Sequence, residues 1–396
     1  MIENMIKIQH LPVRRVTNGP KHHFFGYFDK FPWDRKGRRL LTMEVDFVAR
    51  QPVPGEKASI CVIEEDGTLR KVADTDAWCW QQACMLQWLN DAESKIIYND
   101  REGDHFVARI LDVDTGETET LCRPIYCLSP DGKWAITLNF SRLDRERPGY
   151  GYPGAFDPYI GKKHPDDDGV WLIDLKKNTA SLSVSVDRVT REFYRTGPKG
   201  MEHGPGWFNH MLFSPNSERI AFFHRWRVPN KNGVPWHVTH MFTANRDGSE
   251  LFPLNLQDMS SHYTWVGQGN QIINFSNQWK TGWQYHLFTD QTDKVEVIAK
   301  DVFPGDGHCS YSSDCKWMLT DSYPLKDNCR RLYLYDLVNQ QAYEIGSFFS
   351  DPNYPIPTRC DLHPNWSRDD SKVLIDSIHE GERQVYEIDV SSLTKA

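Results

Sequence analysis

One short unit recurs along the whole chain: an aromatic residue, a small or polar one, a turn, then a run rich in β-branched residues. It reads WDRKGRRLLT from Trp33, WLNDAESKIIYN from Trp88, LSPDGKWAITL from Leu128 and FSPNSERIAFF from Phe213. It returns as WVGQGNQIINF from Trp265, YSSDCKWMLTD from Tyr311 and WSRDDSKVLID from Trp366. Seven copies, mostly 40 to 55 residues apart, match the length of a four-stranded propeller blade. After each copy comes a second strand ending in a polar turn, such as ICVIEEDGTL or VYEIDVSS, which is hairpin patterning. A further outer strand follows in six blades, but the seventh runs out of chain near Ser392.

These observations predict an all-β chain, a single seven-bladed β-propeller over residues 1–396. The N-terminal segment MIKIQHLPVRRVT has the character to join the last blade and close the ring, removing two sheet edges. A six-bladed ring with an accidental second copy is the alternative, and seven complete copies weigh against it. No helical periodicity of useful length is apparent. The one irregular spacing, between Leu128 and Phe213, contains a long loop insertion at about 139–169, read as a partial lid.

A net charge of −8 argues against a nucleic-acid partner, because phosphate contacts need a basic surface. No apolar stretch approaches a membrane span, and the N-terminus lacks the apolar core of a signal peptide. Nine cysteines scattered without CxxC spacing fit reduced thiols, so a cytoplasmic location is expected.

The chemistry concentrates at one register position. Aligning the copies on Ser129 of LSPDG, the residue four positions earlier is His210, His262, His308 and His363 in four adjacent blades. The first three blades carry Lys30, Met85 and Ile125 there, so histidine is not part of the repeat itself. A single buried histidine is ordinarily a packed core residue. Four in one register are costly to bury without a ligand, which points to a divalent metal or an anionic substrate. Asp361, two residues before His363, faces the same way and adds a harder donor, admitting Mn²⁺ or Ca²⁺ beside Ni²⁺ or Zn²⁺.

Other candidates lie on loops of the same face. Arg225 and Arg227 flank Trp226 and could clamp a carboxylate, or simply be solvated. Trp80, Gln81 and Gln82 have the composition of a sugar-binding patch, although Trp80 fits a core position equally well. Tyr150, Tyr152 and Tyr159 suit sugar stacking or loop ordering, and Arg142, Arg145 and Arg147 read as a solvated charge run. No G-x-S-x-G elbow, HExxH or nucleotide fingerprint is present.

At the histidine segments NHMLFSP, SHYTWVG, GHCSYSSD and LHPNWSRDD the chain resembles the oligogalacturonate lyases, most clearly from Trp207 to Val390. The family's HPHPSF segment is similar to DLHPNW here, and His224 at the end of AFFH matches a further family histidine. The resemblance implies a propeller that cleaves an acidic oligosaccharide by β-elimination with a Mn²⁺-type ion. It implies metal ligation by His262, His308 and His363, with Asp361 in place to complete the shell, and a substrate contact from His224; Arg227, Trp80, Gln81 and Gln82 are the substrate-contact candidates offered by the loops. His210 and Arg225 are then the candidate bases and Tyr27 the candidate acid. Three positions depart from the pattern: Asp361 replaces a histidine, Thr358 a glutamine, and Ser214 the arginine of the fourth-blade anchor. Those departures favour another uronate-containing glycan over pectin. A metal-dependent glycoside hydrolase and a non-catalytic TolB-like binding propeller are the competing readings.

Overall fold

The computed structural model describes residues 6–89, 92–194, 204–229, 235–257, 259–354 and 356–395. Segments 195–203 and 230–234, which the sequence places on the site face, lie outside the described residues. The described strands form seven sheets in chain order, one per repeat copy, so each copy does mark one blade. Blade one, for example, runs His22–Phe24, Leu40–Val45, Ala58–Ile63 and Leu69–Thr75 from the axis outward.

Ring closure follows expectation and goes one strand further. Strand β2 (Val13–Arg15) pairs antiparallel with Gln384–Asp389 and supplies the missing outer strand of blade seven. The preceding strand, β1 (Ile6–Ile8), pairs parallel with Gln341–Phe349 as a fifth strand on blade six. The N-terminus therefore ties two blades together.

The repeat owes its sharp signature to one hydrogen-bonded turn. Ser129 Oγ donates to Asp131 Oδ1 at 2.6 Å and accepts from the Trp134 N–H at 2.9 Å. Ser214, Ser312 and Ser367 make the same pair of bonds, to Asn216, Asp314 and Asp369 and from Arg219, Trp317 and Lys372. Short hydroxyl and carboxyl side chains thus satisfy backbone groups that a tight turn leaves orphaned. The hydroxyl of Ser214 is committed to this turn and is fully buried.

Helices are few, but not absent as expected. Helix α1 (Phe140–Glu146) opens the insertion, α2 (Val186–Phe193) links blades three and four, and α3 (Ser391–Thr394) ends the chain. Asn139 and Ser185 cap α1 and α2 by accepting from Arg142 N and Arg188 N, each at 3.0 Å. Two turns are too short to register as periodicity, so capping chemistry was the only available signal. No helix among the described residues is long and apolar enough to cross a membrane. All nine cysteines are free thiols, six of them buried.

Two features prepare the channel. A cavity of about 850 Å³ opens at the mouth formed by the serine turns, beside Pro130, Pro215 and Arg368. The histidines sit at the other end of the inner strands, and the segment 25–30 separates the two. Phe28 lines the cavity on one side and lies 5.2 Å from the His308 ring on the other, measured between ring centres.

That segment is tied to blade seven by Asp376, which accepts from Phe25 N at 3.0 Å and Gly26 N at 3.4 Å. Gly26 has φ +128°, and a Cβ there would stand 2.8 Å from that of Ala83, so no other residue fits. Burial pushes the Asp376 carboxyl up to about 6, against the opposing pull of Arg383 and the two N–H groups. A folded-state value above the unfolded ~3.9 makes the fold bind a proton that the unfolded chain releases. Stability is then fully present below pH ~4 and falls as pH rises to about 6. The Asp376→Asn variant is expected to lack this decline, a difference on the order of 3 kcal/mol, read from urea midpoints across that range.

Candidate metal centre

The four histidines do converge, but strand alternation is not what aims them all. His210 and His363 adopt left-handed backbone, with φ +46° and +43°. The register between the inner strand of blade four and its neighbour slips at His210, between Asn209 and Met211. A similar slip lies between Ser260 and Tyr263, around His262. Bulges of this kind turn a side chain out of the alternating pattern, and left-handed backbone costs a non-glycine residue ~1–3 kcal/mol.

His308, Asp361 and His363 offer ligand atoms lying within 4.8 Å of one another, all three buried. The His308 ring is 4.5 Å from His363 and 3.9 Å from His262, and His262 is 6.3 Å from His210. Carboxylates fix two of these rings. Asp321 accepts from His308 Nδ1 at 2.9 Å and from the His308 backbone N–H at 2.7 Å. Gly307 permits that approach, because a Cβ there would fall 1.9 Å from the Asp321 carbonyl oxygen. Asp306 accepts from His262 Nδ1 at 3.0 Å. An ionised carboxylate only accepts, so each Nδ1 carries the proton and each Nε2 presents a lone pair. This is the outer support that metal-ligating imidazoles ordinarily have.

His363 differs, since both its ring nitrogens are buried without a hydrogen-bond partner. Burial holds His363 and His210 well below the ordinary histidine range, with His308 adding to it at His363 and Arg225 at His210, and His262 is lowered by burial too. These rings are neutral and available as donors. Asp361 is enclosed between two cations, with Arg330 Nη2 at 2.6 Å and Arg359 Nε at 2.9 Å. Burial alone would raise its carboxyl, but Arg330 and Arg359 overcome that and hold it well below the usual carboxylate range. The set of neutral imidazoles with one carboxylate and an orphaned histidine fits a divalent cation.

Around this group the other candidates divide. Tyr27 packs on the cluster, its ring 5.2 Å from His210 and 5.0 Å from His363, with its hydroxyl 3.4 Å from His210 Nε2. Gln82 donates to the Tyr126 hydroxyl at 2.8 Å and reaches His210 Nδ1 at 3.5 Å. Gln81 donates to the Arg359 carbonyl at 3.1 Å. Arg225 is buried with Nε donating to Thr239 Oγ1 at 3.0 Å, and its guanidinium lies over Phe223, which edges His210.

Trp80 and His224 are placed elsewhere. Trp80 has no exposed surface and packs on Phe24 and Trp78, with its indole N–H donating to the Arg50 carbonyl. His224 points to the opposite blade face, where it stacks on Tyr194 at 5.6 Å and has both nitrogens unpartnered. Arg227 shares the face of Arg225 but donates to the Glu146 carbonyl at 2.6 Å, so it secures the insertion instead of clamping with Arg225.

The charge run on the insertion corrects the sequence expectation. Arg142 is buried and donates to the carbonyls of Gly206 and Lys163, each at 2.8 Å. Tyr152 is fully buried against Phe140, whereas Tyr150 reaches the cluster edge, 6.0 Å from His210. Sequence reasoning missed Asp306, Asp321, Arg330 and Arg359, which carry no repeat signal.

No known family model matches the sequence, and no curated protein sequence does. Solved structures do match. An oligogalacturonate lyase from Vibrio parahaemolyticus is 16% identical, with 96% of this chain and 94% of that chain covered and a TM-score of 0.67. An oligogalacturonate lyase in complex with manganese is 15% identical, with 96% and 93% covered and a TM-score of 0.68. The β-propeller domain of the Trilobed protease from Pyrococcus furiosus is 11% identical, with 93% and 96% covered and a TM-score of 0.53. The resemblance read from the histidine segments therefore holds for the fold over nearly the whole chain. At these identities likeness establishes fold alone, and propellers host many chemistries.

Proposed function

We propose that this chain is a metal-dependent lyase that cleaves a uronate-containing oligosaccharide by β-elimination. The observation that carries the reading is the buried group of His308, Asp361 and His363, just before the inner strands of blades six and seven. It is supported by the shared fold with an oligogalacturonate lyase that is in complex with manganese. His308 through Nε2, His363 and Asp361 would hold the ion, with His262 Nε2 beside them; Mn²⁺ is the ion proposed. Such an ion supplies Lewis acidity toward a bound carboxylate, which acidifies the neighbouring C–H.

The remaining steps belong to the chain's own residues. His210 is neutral and its Nε2 has only a long contact, 3.4 Å to the Tyr27 hydroxyl, so it is free to accept the α-proton. Burial, with Arg147 nearby, lowers Arg225 to about 10, which still leaves it protonated at neutral pH. The proton acceptor is therefore His210, and Arg225 is left to meet negative charge. Burial raises the Tyr27 hydroxyl well above its ordinary value, so it keeps its proton as a donor toward the leaving oxygen. Ser214 takes no part, its hydroxyl being held in the turn.

Elimination creates a conjugated unsaturated uronide, whereas hydrolysis does not. Incubation with a panel of oligouronides and Mn²⁺ is expected to raise ultraviolet absorbance in step with new reducing ends. Reducing ends without absorbance would mean hydrolysis, and neither signal, with uronides still bound, would mean a binding propeller.

A further inference from the structure

Charge accounting around the insertion leaves two cations unmatched. Arg145 pairs with Glu146 at 2.8 Å and also with Asp157, and Arg227 lies 3.7 Å from Glu146. Arg142 donates to backbone carbonyls, and Arg330 and Arg359 share Asp361. Arg225, only 4% exposed, has a single neutral side-chain partner, Thr239. Arg147 lies 4.9 Å over the Tyr150 ring, and its Nε is buried with no acceptor. Among the described residues neither of these two meets a carboxylate.

Both converge on one place. Arg147 stands over Tyr150, which edges His210 at 6.0 Å; Arg225 stands over Phe223, which edges His210 at 5.5 Å. Arg225 is a buried cation without a counter-charge, which is costly, and the like charge of Arg147, only partly buried, adds to that cost. The arrangement is worth keeping where an oxyanion arrives to satisfy both, and guanidinium groups bind carboxylate or sulfate through paired hydrogen bonds.

We infer that Arg147 and Arg225 form a receptor for an oxyanion of the substrate, separate from the carboxylate bound at His308, Asp361 and His363. The assignment deepens the lyase reading and rests on it for the substrate's class: an oligosaccharide bearing two anionic groups, one on each side of the cleaved linkage. The second group is a carboxylate or a sulfate. Arg147 comes from the insertion, so that segment contributes to recognition.

The test uses the full chain freed of metal by chelator, with binding of sodium sulfate and of sodium glucuronate followed calorimetrically against chloride at equal ionic strength. Saturable binding of one of them is expected, and whichever binds tighter identifies the oxyanion. Arg147→Gln should weaken it at least about tenfold, and Arg147→Lys, which keeps the charge and loses the fork, by less. Arg225→Gln should act in the same direction; because that residue is buried, the two variants of the partly exposed Arg147 decide the matter if Arg225→Gln fails to fold. No saturable binding by the wild type, or equal binding by Arg147→Gln, overturns the assignment. Anion binding without uronide cleavage would instead leave the receptor standing and remove the lyase.

Discussion

Alanine in place of His363 is expected to lower the affinity for a divalent cation by more than about 100-fold, since losing even an outer support of a metal ligand costs ~10–100-fold. The reasoning rests on two nitrogens. His363 is buried, neutral and without any hydrogen-bond partner, yet it lies with His308 and Asp361 in one group. His224 provides a matched comparison. It too is fully buried with both nitrogens unpartnered, but it sits on the far face of blade four against Tyr194. Elemental analysis of protein purified without chelator should find about one equivalent of metal in the wild type and in His224→Ala, and none in His363→Ala. Asp321→Asn, which disturbs the support of the His308 ring and of its backbone N–H but removes no ligand, should fall between them, within the ~10–100-fold range. Metal loss in His224→Ala with retention in His363→Ala would move the site to the other face and end the lyase proposal as drawn.

The second large effect concerns stability. Asp361 has no exposed surface, and Arg330, whose Nη2 it holds at 2.6 Å, is 1% exposed. Removing the carboxylate strands Arg330 with only Ser350 Oγ at 3.3 Å and the Ser322 carbonyl at 3.4 Å. Asp361→Ala is therefore expected to destabilise the fold by about 3–5 kcal/mol. Combining it with Arg330→Met should recover much of that loss, because the buried charge disappears with its partner. Urea unfolding of the two single variants and the double variant measures the coupling. A loss below ~1 kcal/mol for Asp361→Ala would show that Arg330 reaches water, leaving Asp361 free for a cation alone. A carboxylate has about four lone-pair sites, so service to both arginines and an ion is chemically consistent.

These expectations bear on how far the sequence reaches. Four of the seven copies were legible through a serine turn that uses residues only two to five positions apart, as in Ser129 with Asp131 and Trp134, and the other three through the same spacing and strand pattern. Ring closure was legible because a blade short of a strand leaves an edge, and the N-terminal segment that holds Val13–Arg15 has strand character. The histidine register was legible because it repeats with the blades. None of this needed long-range knowledge: local hydrogen bonding and a fixed period determine it.

What only the tertiary structure decided lies between blades. Asp306 and Asp321 are ordinary acidic residues until the fold sets them against His262 and His308. Arg142 reads as solvated, yet it is buried because carbonyls of its own insertion and of Gly206 surround it. Trp80 and His224 look like site residues, but each faces the packing layer between blades instead of the axis. The cause is the same throughout. Sequence pattern encodes which strand and turn a residue occupies, whereas its partners come from chain segments far away, such as Asp376 to Gly26 or Gln82 to His210. Those meetings depend on how seven blades are wound around one axis, and that is settled only when the ring closes.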